Sequence, residues 1–351
     1  MEVGINGFLD ENTIGPIKDA GFSLYREGVC WPEVQPSRRG KFVWDKPDRI
    51  AGLCREAGLR WMPILFGPLG DSWPLQKYPE LQKDSAYLLQ LEDWKRFVQG
   101  MVDRYMDVIY AVEIWQAPAC NYSGWNEPGH SLKRYVEFCH EVQEIIYEVA
   151  PSMMVLPASS DPEVNLAYFA DLFHHHLFRE DPDALGIQFY YNNEKCASRI
   201  FSDFHAGVNE LRRMIKEVKQ ENHVPLIMTE TGWPVDDRLS DGWKPGDAEM
   251  ILEPGEGKRF GSINYDSVEA VDVFAQAHRM ERVLYHANIQ EFEAVFIQTI
   301  RDNVRPDGAH EHIWGDHCGL LDANLNPRPA YIAVKDFISR LREQSLGGDE
   351  V

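Results

Sequence analysis

Polar and apolar positions follow two rhythms along this chain, and the rhythms take turns. Short, mostly apolar runs occur at 3–8, 22–26, 60–65, 110–115, 153–156, 185–190, 225–229 and 294–299. Runs of this length, bounded by Gly, Pro, Asn and Asp, predict strands. Longer segments with apolar residues every three or four positions lie between them. Ser131 opens one of these, with Val136, Cys139, Val142, Ile146 and Val149 on a single face. Val208, Leu211, Ile215 and Val218 mark another, and a last helix is predicted over about 329–342. This is the spacing of helices that bury one side. Eight strands, each followed by a helix, predict the α/β class and a closed (β/α)8 TIM barrel rather than an open sheet. No sequence repeat and no linker interrupt the alternation. The expected organisation is one barrel over 1–345 and a short tail over 346–351.

One stretch breaks the rhythm. Residues 234–266, rich in Gly, Asp and Pro and containing Trp243, separate the seventh strand from its helix. Structureless loops this long are uncommon in compact domains and are usually functional or disordered. This one leaves the C-terminal end of the barrel, where such folds keep their chemistry. It is expected to form a lid or a wall of a binding site.

Composition narrows the function. The 351 residues are 44% hydrophobic and 26% charged, the balance of a globular protein. No run of about 18 apolar residues is present, so no membrane span is expected. The formal charge of −21 argues against nucleic acid and anionic membranes as partners. Cys30, Cys54, Cys120, Cys139, Cys196 and Cys318 form no CxxC pair, and a chain this long needs no disulfide staples. His174, His175 and His176 are adjacent in sequence and would point in different directions on a helix, so they predict no metal site. No metal or organic cofactor is expected. The N-terminus shows no basic and apolar leader. The expected location is the cytoplasm, or outside the cell if a leader has been removed.

The segment Val224-Pro-Leu-Ile-Met-Thr-Glu-Thr-Gly-Trp233 carries the candidate chemistry. It reads as a buried strand that delivers one carboxylate, Glu230, at its C-terminal end. A buried charge costs free energy unless something pairs or uses it. An aromatic ring three residues later points to a sugar. Hydrolysis with retention needs two carboxylates about 5–5.5 Å apart, one nucleophile and one acid/base. The fourth strand, Tyr110-Ala-Val-Glu-Ile-Trp115, ends in Gln116-Ala117-Pro118.

Here the chain resembles the retaining glycoside hydrolases of clan A, whose catalytic glutamates sit on barrel strands four and seven. Their fourth strand typically ends Trp-Asn-Glu-Pro. Trp115 and Pro118 match, while Gln116 replaces Asn and Ala117 stands where the acid/base Glu belongs. The segments Ala20-Gly21-Phe22, Trp31-Pro-Glu-Val, Gly40-Lys-Phe-Val-Trp44-Asp45 and Gly58-Leu-Arg-Trp-Met-Pro63 fit the same pattern. Gly319-Leu-Leu-Asp322 and Pro327-Arg-Pro-Ala-Tyr331 are similar to the closing loop and helix of family 39-like enzymes. The resemblance implies a glycosidase acting on a β-linked oligo- or polysaccharide, with Glu230 as nucleophile.

Ala117 leaves three explanations open. It is an introduced replacement of Glu, or the mark of a natural glycan-binding barrel without catalysis, or a sign that the acid/base has moved. Trp125-Asn-Glu127-Pro128 repeats the motif ten residues on, in loop-like sequence, and makes Glu127 the relocated candidate. Arg26 is a candidate for a charge-assisted bond to Glu230. Gln116 is a candidate donor to a sugar hydroxyl. Tyr190 and Tyr191 close the sixth strand, where a Tyr would bond the nucleophile. Trp31, Trp233 and Trp314 are candidate stacking platforms for pyranose rings. Glu113 shares the face of Trp115 on an alternating strand but lies deeper, and is expected to be structural.

Overall fold

A computed structural model describes residues 1–37, 40–67, 73–77, 80, 85–115, 132–157, 166–175, 184–190, 200–219, 224–235, 272–303 and 317–347. All eight predicted strands are present. They are β1 (Glu2–Asn6), β2 (Leu24–Cys30), β3 (Arg60–Phe66), β4 (Val112–Ile114), β5 (Val155–Pro157), β6 (Leu185–Gln188), β7 (Leu226–Thr231) and β8 (Ala294–Gln298). Every pairing is parallel, and the order β5-β4-β3-β2-β1-β8-β7-β6 makes one sheet. β5 and β6, its two ends, lie side by side, so the sheet curls into a barrel. The fold is the (β/α)8 barrel that the alternation predicts.

The helices ring the barrel: α1 (Ile14–Ala20), α2 (Trp31–Val34), α3 (Asp45–Ala57), α4 (Trp73–Lys77), α5 (Glu92–Tyr105), α6 (Leu132–Val149), α7 (Leu166–His174), α8 (Ile200–Lys219), α9 (Val273–Ile289) and α10 (Pro329–Gly347). α10 runs two residues past the expected tail boundary. Gly21 and Gly58 stop α1 and α3 with φ of 83° and 71°, a left-handed turn that Gly makes without steric cost. Asp272 caps α9 by accepting from the N–H groups of Phe274 and Ala275. On α8, Val208, Leu211 and Ile215 are buried, but Val218 is 48% exposed because the inward stripe ends a turn before the helix does.

Two cores result, one on each side of the sheet. Outside it, Ile5, Tyr25, Leu65, Val112 and Val155 meet helix residues such as Trp94, Phe97, Tyr135 and Phe138. Each such apolar side chain contributes roughly 1.5–3 kcal/mol on burial. Inside it, Leu24, Met62, Ala111, Leu156, Ala184, Ile227, Ala294 and Phe296 fill the lower barrel. Phe296 fits because position 4 is Gly; a Cβ there would stand 2.6 Å from the Phe296 ring. The last helix closes the ring on the first: Tyr331 donates to Pro16 O at 2.8 Å, and Lys335 Nζ reaches Asp19 at 2.7 Å.

Candidate active site

Above the apolar filling, the barrel interior turns polar. On β7 the ladder shifts register against both neighbours, between Ile187 and Gln188 on β6 and between Met228 and Thr231 on β7. The irregularity re-phases the strand. Ile227 belongs to the interior filling, and Glu230, three residues on rather than two or four, also reaches the barrel interior. The displaced backbone is satisfied locally. Asn6 Nδ2 donates to Thr229 O at 3.1 Å, and Phe189 N donates to Glu230 O at 2.9 Å. The next residue but one must be Gly, because a Cβ on Gly232 would collide with the carbonyl oxygen of Gln298.

Glu230 is 9% exposed and is gripped on both oxygens. Arg26 Nη1 donates to Oε1 at 2.8 Å. Tyr190 Oη stands 2.9 Å from Oε2 and 2.9 Å from Gln298 Oε1. A phenol has one proton, so donation to Glu230 requires Gln298 to present its amide nitrogen to the phenol oxygen. The apolar run predicted for the second strand ends at Arg26, but Arg26 lies in the middle of β2, which continues four residues further to Cys30. Its Nε and Nη2 donate to the two oxygens of Glu113 at 2.6 and 2.9 Å, and its Nη1 also approaches Asn6 Oδ1 at 3.3 Å. Burial alone would lower the Arg26 pKa, but the charges of Glu113 and then Glu230 outweigh it, and the net shift is upward.

Glu113 is wholly buried on β4, deeper than the mouth, as the sequence predicts. It does not share the face of Trp115. Trp115 has φ of 67°, which ends the alternation, and its ring packs on Phe138 of α6 at 6.0 Å and on Phe66 at 6.2 Å. Tyr135 of α6 donates to Ile114 O at 3.0 Å and pins the strand just before that turn.

Two stacking candidates need correction. Trp31 and Trp233 are both 0% exposed. Trp31 donates to Gln35 Oε1 at 2.8 Å and packs edge-on to Trp94, inside the helix layer. The Trp233 carbonyl accepts from Gln276 of α9 at 3.0 Å, which folds that residue under the helix. Neither presents a ring face to a ligand. Gln116, Ala117, Glu127, Tyr191, Trp314 and loop residues 236–266 lie outside the described residues. Asn6 and Gln298 belong to the cluster and escaped the sequence reading. Their only signal was a polar residue at the end of an apolar strand. Among the described residues, no group of His, Cys, Asp and Glu is placed to hold a metal ion.

No protein-family profile and no curated protein matches this sequence. Solved structures do. A family 39 glycoside hydrolase from the gut symbiont Bacteroides cellulosilyticus WH2 superposes with a TM-score of 0.68 at 14% identity, over 97% of this chain and 64% of that one. An exo-β-1,4-mannosidase from Opitutaceae bacterium strain TAV5 gives 0.62 at 15% identity, over 99% and 60%. A psychrophilic family 10 endo-β-1,4-xylanase gives 0.58 at 16%, over 96% of both chains. These structures and this chain share the (β/α)8 barrel fold. The chain spans less than two thirds of the length of the first two structures. The likeness is one of architecture, and in this barrel Glu230 stands near the C-terminal end of β7.

Proposed function

We propose that this protein is a retaining glycosidase fold in which Glu230 is the nucleophile, acting on a β-linked sugar. The observation that carries the reading is the carboxylate of Glu230, at the end of a barrel strand, held by Arg26 on one oxygen and by Tyr190 on the other. A nucleophile fixed in this way has little orientation left to lose on reaching a transition state. Oε attack on an anomeric carbon would form a glycosyl ester, and a second group would protonate the leaving oxygen and later activate water. Position 117 is where that second group is expected, and Ala supplies no proton. The chain as written is therefore expected to glycosylate itself from activated donors and to turn over slowly. Similar structures act on mannosides, xylans and galactosides, so the sugar is best sought among these β-linked classes.

The test uses 2-fluoro glycosyl fluorides of several β-sugars, which need no acid to leave. Peptide mass spectrometry should find the label on Glu230, and none in Glu230→Gln. Label on Glu113 or Glu127 would overturn the assignment. Ala117→Glu should raise turnover of unactivated glycosides by about 10²–10⁴-fold, the usual worth of general acid–base catalysis. Azide should replace the missing base and give a glycosyl azide of retained configuration.

The second reading is a barrel that binds glycans without cleaving them, which Ala117 itself favours. It takes over if sugars bind, no label forms and Ala117→Glu changes nothing. If Ala117→Glu is silent but Glu127→Gln removes residual activity, the acid/base is Glu127.

A further inference from the structure

We infer that Glu113 is a positioning residue for Glu230, acting through Arg26; the inference rests on Glu230 being the nucleophile. Glu113 sits between β3 and β5, paired in register with Ile64 and Leu156, and has no exposed surface. It touches no space a substrate can enter. Yet both of its oxygens are occupied by the one guanidinium that also reaches Glu230.

The geometry of that grip matters. Glu113 takes the Nε–Nη2 edge of Arg26 side-on, in the fork geometry that fits a carboxylate. This fixes the plane of the guanidinium and leaves Nη1 as the one nitrogen directed at Glu230 and Asn6. Without Glu113, the same fork would be free to turn its two-donor edge onto Glu230. A carboxylate held by a full ion pair gives up its electron pair less readily than one held by a single donor.

Charge leads to the same conclusion. Among the described residues, Glu230 meets Arg26 from β2 and the Tyr190 phenol that follows β6, with Glu113 of β4 behind Arg26. Asn6 of β1 and Gln298 at the end of β8 are neutral. The guanidinium of Arg26 is shared, with two of its bonds to Glu113 and one to Glu230. Glu113 thereby converts Arg26 from a counter-ion of the nucleophile into a holder of it.

A buried carboxylate that only stabilised the fold would give a different result on substitution. The measurement is the rate of Glu230 labelling by a reactive 2-fluoro glycosyl fluoride, resolved by saturation into a binding constant and a limiting rate. Glu113→Gln keeps the shape and removes the charge. Its limiting rate should fall by about 10- to 100-fold, the cost of misplacing a reacting group by a fraction of its length, with the binding constant within about twofold. In a ¹⁵N spectrum, the Nε–H proton of Arg26 should move upfield as its carboxylate partner is lost. Glu113→Asp keeps the charge, should restore part of the rate, and serves as the deciding variant if the Gln form does not fold. Labelling of the folded variant at the parent's rate, with only the melting temperature lowered, overturns the inference. Absence of labelling in the parent chain is a separate outcome, and overturns the nucleophile assignment itself.

Discussion

Arg26 and Arg328 are both buried guanidiniums, and each is held by a carboxylate through two bonds. Arg328 faces Asp302 at 2.9 and 2.6 Å, and also donates to Gly319 O at 2.8 Å. Asp302 also accepts from Gly319 N at 2.9 Å. Burial pushes the Asp302 carboxyl above its usual range, with Arg328 pulling against it. The pair staples the segment after β8 to the start of α10. At Arg26 one charge meets two. The second of these carboxylates, Glu230, is the one nearest the mouth. A pair that joins two segments of chain can be explained by the fold alone. A guanidinium that also reaches a carboxylate at a strand end points to a site rather than a staple.

The contrast is open to experiment. Arg26→Met should cost the most, about 3–5 kcal/mol by urea unfolding, because it strands two carboxylates in the interior. Arg328→Met should cost a similar amount, since it strands Asp302. The two differ in rescue. Asp302→Leu combined with Arg328→Met should recover most of the loss, to within about 2 kcal/mol of the parent, because a whole pair is exchanged for apolar surface. Glu113→Leu combined with Arg26→Met should not recover, because Glu230 still lacks its donor. Equal rescue at both sites would erase the distinction drawn here. Tyr190→Phe is a smaller probe of the same carboxylate. Hydrogen bonds to charged groups are worth about 1.5–3 kcal/mol, so labelling of Glu230 should slow by about tenfold or more.

The smallest effect lies outside both clusters and serves as a control. His205 Nε2 and His286 Nδ1 stand 2.7 Å apart between α8 and α9. Burial first, then His205 and Arg282, hold His286 below its ordinary value of 6.5. The folded state thus favours neutral His286, while the unfolded chain takes up the proton more readily. The stability this contributes is present above pH 6.5 and is lost as pH falls through the folded value. The melting temperature should decline on the acid side of neutrality, and His286→Asn should flatten that decline. If the slope is unchanged in His286→Asn, the loss belongs to another group.

Most of the frame was legible in the sequence, since period and turn residues act locally. All eight strands and the position of Glu230 follow from such local signals. The long-range facts do not. That Arg26 reaches Glu113 as well as Glu230 depends on three strands facing inward at one height, and nothing within β2 encodes that. Trp31 and Trp233 look alike to any local reading, yet helix packing hides both. Alternation failed at Trp115, where a left-handed residue turned the ring out of phase. The helical spacing failed at Val218, whose helix outlasts the core beneath it. The register shift on β7 was equally silent, although it is what turns Glu230 inward.

Phe296, lying across Gly4, floors the barrel. Among the described residues, Glu230 is closed off from below. Whatever approaches the carboxylate arrives from the mouth, and whatever departs leaves the same way. For a glycosyl ester formed there, the first product must clear the passage before water, azide or another sugar can come in. Acceptors then compete for one queue rather than approaching from two sides.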